Sequence, residues 1–552
     1  DDDIISLAYH KDGIVATGQV GKNPKICIWD VYTLESQNVL QDFHSRGVVG
    51  LSFNNDGNLL VSIGLDNDHS VAVYNWRANR IIQSAKGGPG RIYEVRWNKY
   101  KPTEFVTVGK KHIRFWELNE YNLKYHKGLV GRIGSRQTHL TVDFNKRYSI
   151  TGTLRGELYI WKKNKLFSVV DAHNGPVFTV RTFSKGIVSG EKDGFVHIWD
   201  KNFRRVKSVS LNKVGIGHVR NSIRSLDIRS SKILVGTVTS SIYEIGMNSG
   251  EVKVIQECHF GDVDASQTYG ELWALASHPS LNIYATSCDD KTLRLWDIQQ
   301  RKMVGLVKTY HKARSVAFSP DGTVIAVGNV DGSFCLFSVT EDLSGNFSYS
   351  LALEYMKKNR KSEIFDLKFS PDGNMLAVGS HDNYVDVYTV EGTFCRRIGV
   401  CPGMSSYITH LDWDDGSTLL QVNSGAYELL FFNTKDIKNR RIQQIRAKEV
   451  RDIHWNTFTC TLGYNVQGIW PKYADGTDVN AVNRSHSEKL LATAEDSALV
   501  KVFKYPCIGS GITSNGWLRR RPNSVHEGPC HSEHVTNLAW NADDSYLMSV
   551  GG

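Results

Sequence analysis

No stretch of the chain approaches the roughly 18 consecutive apolar residues that a membrane-spanning helix needs, and its first residues do not read as a secretory leader. A membrane partner is not expected. Proline is sparse, at 12 of 552 residues, while glycine reaches 48. That balance excludes a collagenous or disordered chain and favours many short strands joined by turns. The nine cysteines (27, 258, 288, 335, 395, 401, 460, 507 and 530) contain no Cys-x-x-Cys pair. Without paired ligands at short spacing, Cys258-His259 and Cys530-His531 are weak zinc candidates; no metal is expected, and the thiols read as reduced and mostly buried. Gly87-Gly-Pro-Gly90 and Gly509-Ser-Gly511 match neither a dinucleotide fingerprint nor a phosphate loop, so no cofactor is expected either. The formal net charge of +9 is modest at this length; it permits an anionic partner without naming one.

What is present is a repeat. Residues 186–200, Gly-Ile-Val-Ser-Gly-Glu-Lys-Asp-Gly-Phe-Val-His-Ile-Trp-Asp, read as a hairpin: an apolar strand, a turn at Lys192-Asp193-Gly194, and a return strand alternating from Phe195 to Trp199. Relatives of this unit recur along the chain, each closed by an aromatic or apolar residue, at Trp29, Tyr74, Trp116, Trp161, Trp199, Ile245, Trp296, Phe337, Tyr388, Phe432, Trp470 and Phe503. Most spacings fall near 40 to 45 residues, the period of a WD-repeat β-propeller blade, which the unit resembles. The fold class expected is all-β, two WD-type propellers in tandem, with about twelve complete blades, a truncated one and almost no helix.

Taken in order, Ser319-Pro-Asp-Gly322 and Ser370-Pro-Asp-Gly373 read as type I turns between adjacent strands. The pattern lapses between Gly250 and Gly270, which places the domain boundary: an N-terminal propeller over 1–258 and a C-terminal one over 259–552. Residues 452–471 are expected to form an unusual blade with a tight hairpin. The chain opens inside a strand pattern and its last repeat stops before a closing strand, so a fragment of something longer is expected, with its last ring completed from outside.

His173, Ser189, Asp193 and Trp199 invite comparison with a hydrolytic triad. The repetition argues for structure instead, because Asp290 with Trp296, Asp331, Asp382 and Asp496 make partial copies that a single active site would not need. Buried polar groups require partners, and such a set supplies them to one another. No catalytic residue is assigned and no enzyme is expected. Basic clusters at Lys357, Lys358, Arg360 and Lys361, at Arg440-Arg441 with Arg446 and Lys448, and at Arg519, Arg520 and Arg521 all read as loops or connections, where propellers carry binding. Nucleic acid is disfavoured, because the clusters lack interleaved aromatic platforms.

Residues 459–471, Thr-Cys-Thr-Leu-Gly-Tyr-Asn-Val-Gln-Gly-Ile-Trp-Pro, followed by 475–482, Asp-Gly-Thr-Asp-Val-Asn-Ala-Val, are more specific than the repeat. With Ile14-Val-Ala-Thr-Gly-Gln19, Glu271-Leu-Trp-Ala-Leu-Ala-Ser-His-Pro279 and Ser549-Val-Gly-Gly552, the whole chain resembles the tandem propeller of the echinoderm microtubule-associated protein-like family. The resemblance implies a non-catalytic scaffold that binds tubulin and microtubules, cytoplasmic or axonemal, alongside other microtubule-associated proteins. It also implies one cassette of a member that carries several. The candidate tubulin-binding residues are Lys357, Lys358, Arg360, Lys361, Arg519, Arg520 and Arg521. The alternative is a general WD-repeat scaffold, such as a ubiquitin-ligase substrate receptor or an actin-associated propeller, since fold alone does not fix function.

Overall fold

The computed structural model describes residues 3–213, 221–259, 271–342, 348–470, 478–508, 511–512, 518–519 and 524–551. Among them, strands dominate and the only helical elements are short 3₁₀ turns. The chain divides into two compact units, Asp1–Cys258 and His259–Gly552.

The first unit carries six four-stranded antiparallel blades, over 4–40, 46–85, 92–127, 139–171, 177–210 and 223–256. The sequence pattern explains their construction. In the fifth blade Ile187 pairs with Trp199 and Ser189 with His197, so a buried aromatic closes one end of the strand pair and a hydroxyl lies two residues further along. A bulge at the closing residue, between Ile198 and Trp199, lets the outer strand pair from Arg205. The same shift recurs at Trp29, Tyr74, Trp161, Trp296, Phe337 and Tyr388. A bulge adds one residue and strengthens local twist, which suits sheets that fan around an axis.

Core lies between neighbouring blades rather than within them. Ala16, Ile28 and Leu40 pack with Leu60, Tyr74 and Trp76, and Val196 and Ile198 with Leu226, Val235 and Ile245. Side chains also stitch the innermost strands together. Glu94 accepts from the Val142 N–H at 2.8 Å and Asp143 from the Thr182 N–H at 2.6 Å, while the Ser6 hydroxyl donates to the Val48 carbonyl at 2.6 Å. Each bond satisfies a backbone group that no ladder reaches. On the innermost strand of the first blade, Ile5, Leu7 and Tyr9 are exposed.

The second unit carries four-stranded blades over 274–308, 313–358, 364–401 and 408–445, a fifth from strands within 479–504 joined by His526–Pro529, and a two-stranded sheet over 535–551. The turns expected at 319–322 and 370–373 are present, with Gly322 N–H on the Ser319 carbonyl and Gly373 N–H on the Ser370 carbonyl, both at 2.9 Å. One expectation needs correction. Residues 452–470 make no blade: they hold a 3₁₀ segment at Tyr464–Ile469 and a single bridge between Asp414 and Trp455. Gly463, at φ 144°, starts that segment, and Trp455, Phe458, Val466 and Ile469 fill the wedge between two blades that a sheet would occupy. The count of twelve complete blades therefore falls by one among the described residues. The last repeat stops at half a blade, as expected. The two-stranded sheet already meets the first blade of this unit: Ala539 and Val550 pack with Leu275, and Asn537 Nδ2 donates to the Trp273 carbonyl at 3.0 Å. Among the described residues this last sheet has two strands where the blades have four.

Candidate functional site

The polar network of the repeat forms because alternation sends the hydroxyl and the closing indole to the same face of adjacent strands. Trp29, Trp116, Trp161, Trp199 and Trp296 donate their indole N–H to Thr17, Thr107, Thr151, Ser189 and Thr286 at 2.7 to 3.0 Å. An imidazole meets the same hydroxyl from His112, His139, His173 and His259 at 2.6 to 3.0 Å. Ser189 is fully buried, and these contacts occupy its oxygen. The set joins the strands of a blade and gives a nucleophile no access to substrate.

Among the residues expected in this network, His173, Ser189 and Trp199 are brought together, and Asp193 is not. The carboxylate facing His173 Nδ1, at 3.4 Å, is Glu191. Glu191 ends its strand pointing inward, two residues past Ser189, whereas Asp193 lies in the following turn. Burial pushes the Glu191 carboxyl up, but the neighbouring His173, together with the Gly175 N–H, more than reverses that, leaving it below the usual range. Asp496 is corrected the same way: it is exposed and held by Asn480 at 2.7 Å, while the buried acid is Glu495, paired with Lys501 at 2.7 Å.

Asp290 and Trp296 belong to the most complete set. His259 bridges Asp290 and Thr286 at 2.7 Å on each side, and Thr286 accepts from Trp296. Arg294, fully buried, adds a bond to Asp290 at 2.8 Å. Burial raises the Asp290 carboxyl, and His259 and Arg294 overcome this to hold it at about 2. His259, Asp290 and Cys288 lie close enough to suggest a metal. The donors are committed elsewhere: both imidazole nitrogens are bonded, a guanidinium neutralises the carboxylate, and burial pushes the Cys288 thiol up. Asp331 is bound by Ser333 and lies 3.6 Å from His311. Asp382 lies 3.6 Å from Arg360.

The basic candidates separate. Lys357 and Lys358 finish a strand, Tyr349–Lys358, rather than lying in a loop as expected. Lys357 and Lys361 are exposed, and Lys358 pairs with Asp331 at 3.1 Å. Arg360 is no surface charge: its side chain is 11% exposed and forks onto fully buried Asp386, with Nε at 2.8 Å. Arg519 stands in a short strand, Leu518–Arg519, paired with Gly511–Ile512; Arg520 and Arg521 lie outside the described residues.

Sequence reasoning missed Thr17, Thr107, Thr151, Thr286, His139 and His259. A signal existed, since each closing Trp has a Ser or Thr 9 to 12 residues before it. It also missed Asp412, which is fully buried and accepts from the backbone N–H groups of Thr459 and Cys460, at 3.0 and 2.9 Å. Asp412 is what holds the bladeless segment in the ring.

Repeated four-stranded blades locked by a hydroxyl, an indole and an imidazole define a WD-repeat β-propeller, and this chain carries two. Residues 1–245 match the family model for the echinoderm microtubule-associated protein first beta-propeller, and residues 272–552 match that for the second beta-propeller. The whole chain aligns with Echinoderm microtubule-associated protein-like 2 of Rattus norvegicus and of Homo sapiens, each at 36% identity and covering 82% of the relative. It aligns at 32% identity with the 77 kDa echinoderm microtubule-associated protein of Strongylocentrotus purpuratus, covering 77% of it. The chain belongs to the echinoderm microtubule-associated protein family.

Proposed function

We propose that this chain is a non-catalytic, microtubule-associated scaffold of the cytoskeleton, whose two propellers, 1–258 and 259–552, are separate domains. The observation that carries the reading is similarity over the entire chain to relatives named for microtubule association. The sites described are consistent with it, because their hydroxyls and acids are consumed in holding blades together. Exposed Lys357 and Lys361, with Arg519 to Arg521, are the candidate contacts with tubulin. Lysine and arginine on a rigid scaffold gain by steering toward an acidic polymer surface and displacing its counterions. Arg360 is withdrawn from that set, since reversing it would strand Asp386.

Recovery of partners from a lysate separates this reading from its alternatives: tubulin is expected, and ligase subunits or actin without tubulin would overturn it. Reversing Lys357, Lys361 and Arg519 to Arg521 to glutamate should weaken microtubule binding while leaving the melting temperature nearly unchanged, as surface changes do. Undiminished binding would remove these residues from the interface.

A further inference from the structure

The hairpin of the fourth blade in the second unit reaches beyond its own sheet. Its strands run on, Glu428–Lys438 and Arg441–Ile445, and its tip crosses to the neighbouring blade. The Val400 N–H donates to the Arg440 carbonyl at 3.0 Å, and Val400 pairs in parallel with Arg441. Asn439 and Arg440 turn the tip with φ of 51° and 61°, a conformation that asparagine tolerates and arginine rarely adopts.

The crossing encloses a cleft of about 630 Å³ whose lining brings together Arg360, Arg397, Arg440 and Arg441. Beneath it, Asp386 is saturated by Arg360 and by Arg397 at 2.8 Å. Asp382 is the one carboxylate in the lining, and it faces Arg360. Arg440 and Arg441 are exposed, and neither meets a carboxylate among the described residues. The lining therefore keeps an excess of positive charge. Tyr384, Val400, Pro402 and Met404 give it apolar and aromatic surface, beside the polar Asn383 and Asn439.

We propose that this cleft binds an acidic, extended peptide segment. Arg440 in the turn and Arg441 on the strand after it, which have no carboxylate partner among the described residues, suit carboxylates spaced along a chain better than one compact anion, and each of these two can take a carboxylate in a bidentate bond. The apolar walls accept the side chains between them. The inference does not depend on the microtubule reading, because it concerns a free peptide and this cleft alone.

The test uses the intact chain and a fluorescein-labelled peptide of alternating glutamate and small apolar residues, read by anisotropy. The wild type binds it, more weakly as salt rises, and the same peptide with glutamine for glutamate binds about tenfold worse or less still. Arg440→Glu with Arg441→Glu abolishes binding, while Lys357→Glu with Lys361→Glu leaves it unchanged. Arg440→Gly separates folding from binding: glycine suits the left-handed turn, so this variant melts no lower than wild type yet binds less tightly. Equal binding by the glutamine peptide or by the Arg440/Arg441 variant overturns the proposal. So does full competition by inorganic phosphate at low millimolar concentration, which would mark a compact-anion site.

Discussion

Replacing Asp412 with alanine removes the anchor of the bladeless segment. The carboxylate accepts from the Thr459 and Cys460 N–H groups, from the Thr457 hydroxyl at 2.6 Å, from Gln421 at 3.0 Å and from Lys368 Nζ at 3.1 Å. Thr457 is exposed and can turn to water, but Asp412 is fully buried and Lys368 only 18% exposed, so the ammonium and the Cys460 N–H are left without a substitute partner. An orphaned buried charge alone costs about 3–5 kcal/mol. At about 1.4 kcal/mol per factor of ten, amide exchange across 457–462 should accelerate by roughly a hundredfold or more. Hydrogen exchange with mass spectrometry reads that segment directly, and peptides from the first unit serve as an internal control. Combining Asp412→Leu with Lys368→Met should recover part of the loss, because neither member of that pair is then left without the other. Protection of 457–462 equal to wild type in Asp412→Ala would refute the argument and assign the segment to apolar packing alone.

Thr286→Val keeps the side-chain shape but leaves the Trp296 indole without its acceptor and His259 Nε2 without its partner; it should destabilise the second unit by about 1–3 kcal/mol in denaturant unfolding, with Thr286→Ser near wild type, and an unshifted midpoint would contradict the network. In the first unit, burial depresses His112 to about 3 and His139 and His197 to about 4. Each is neutral in the fold but takes up a proton near pH 6.5 when unfolded, so its contribution is full above that pH and is lost as pH falls toward the folded value. About 2 kcal/mol per histidine should disappear between pH 7 and 5. Asp366 in the second unit has the opposite sign: burial raises it to about 6, so protonation below that pH favours the fold. Urea unfolding at the two pH values should show the first unit losing more, and His139→Asn should flatten its slope; an unchanged slope would exclude His139 as a source.

The fold was legible because a closing aromatic or apolar residue at intervals of 33 to 51 residues, most of them near 40 to 45, is hard to produce without a repeated blade. It failed at Trp470, where the spacing implied a strand and the chain instead forms a 3₁₀ wedge: Asp412, more than 40 residues upstream, decides the conformation there, and no local window contains it. The networks were half legible for a similar reason. Asp193 and Asp496 stand in the turns where the repeat leads one to look, but strand alternation points Glu191 and Glu495 inward instead. Among the basic clusters, composition alone could not distinguish Arg360, which is consumed by Asp386, from Arg440 and Arg441, which remain open. That difference arises where a hairpin from one blade folds across the next.

Co-sedimentation of the purified chain with taxol-stabilised microtubules tests the central claim most directly. The account predicts saturable pelleting with the polymer at low ionic strength, weakening as salt is raised toward about 0.2 M, where the screening length falls to less than about 8 Å. A chain that is folded, as judged by its melting transition, yet stays in the supernatant at low salt across the full range of microtubule concentration would contradict it.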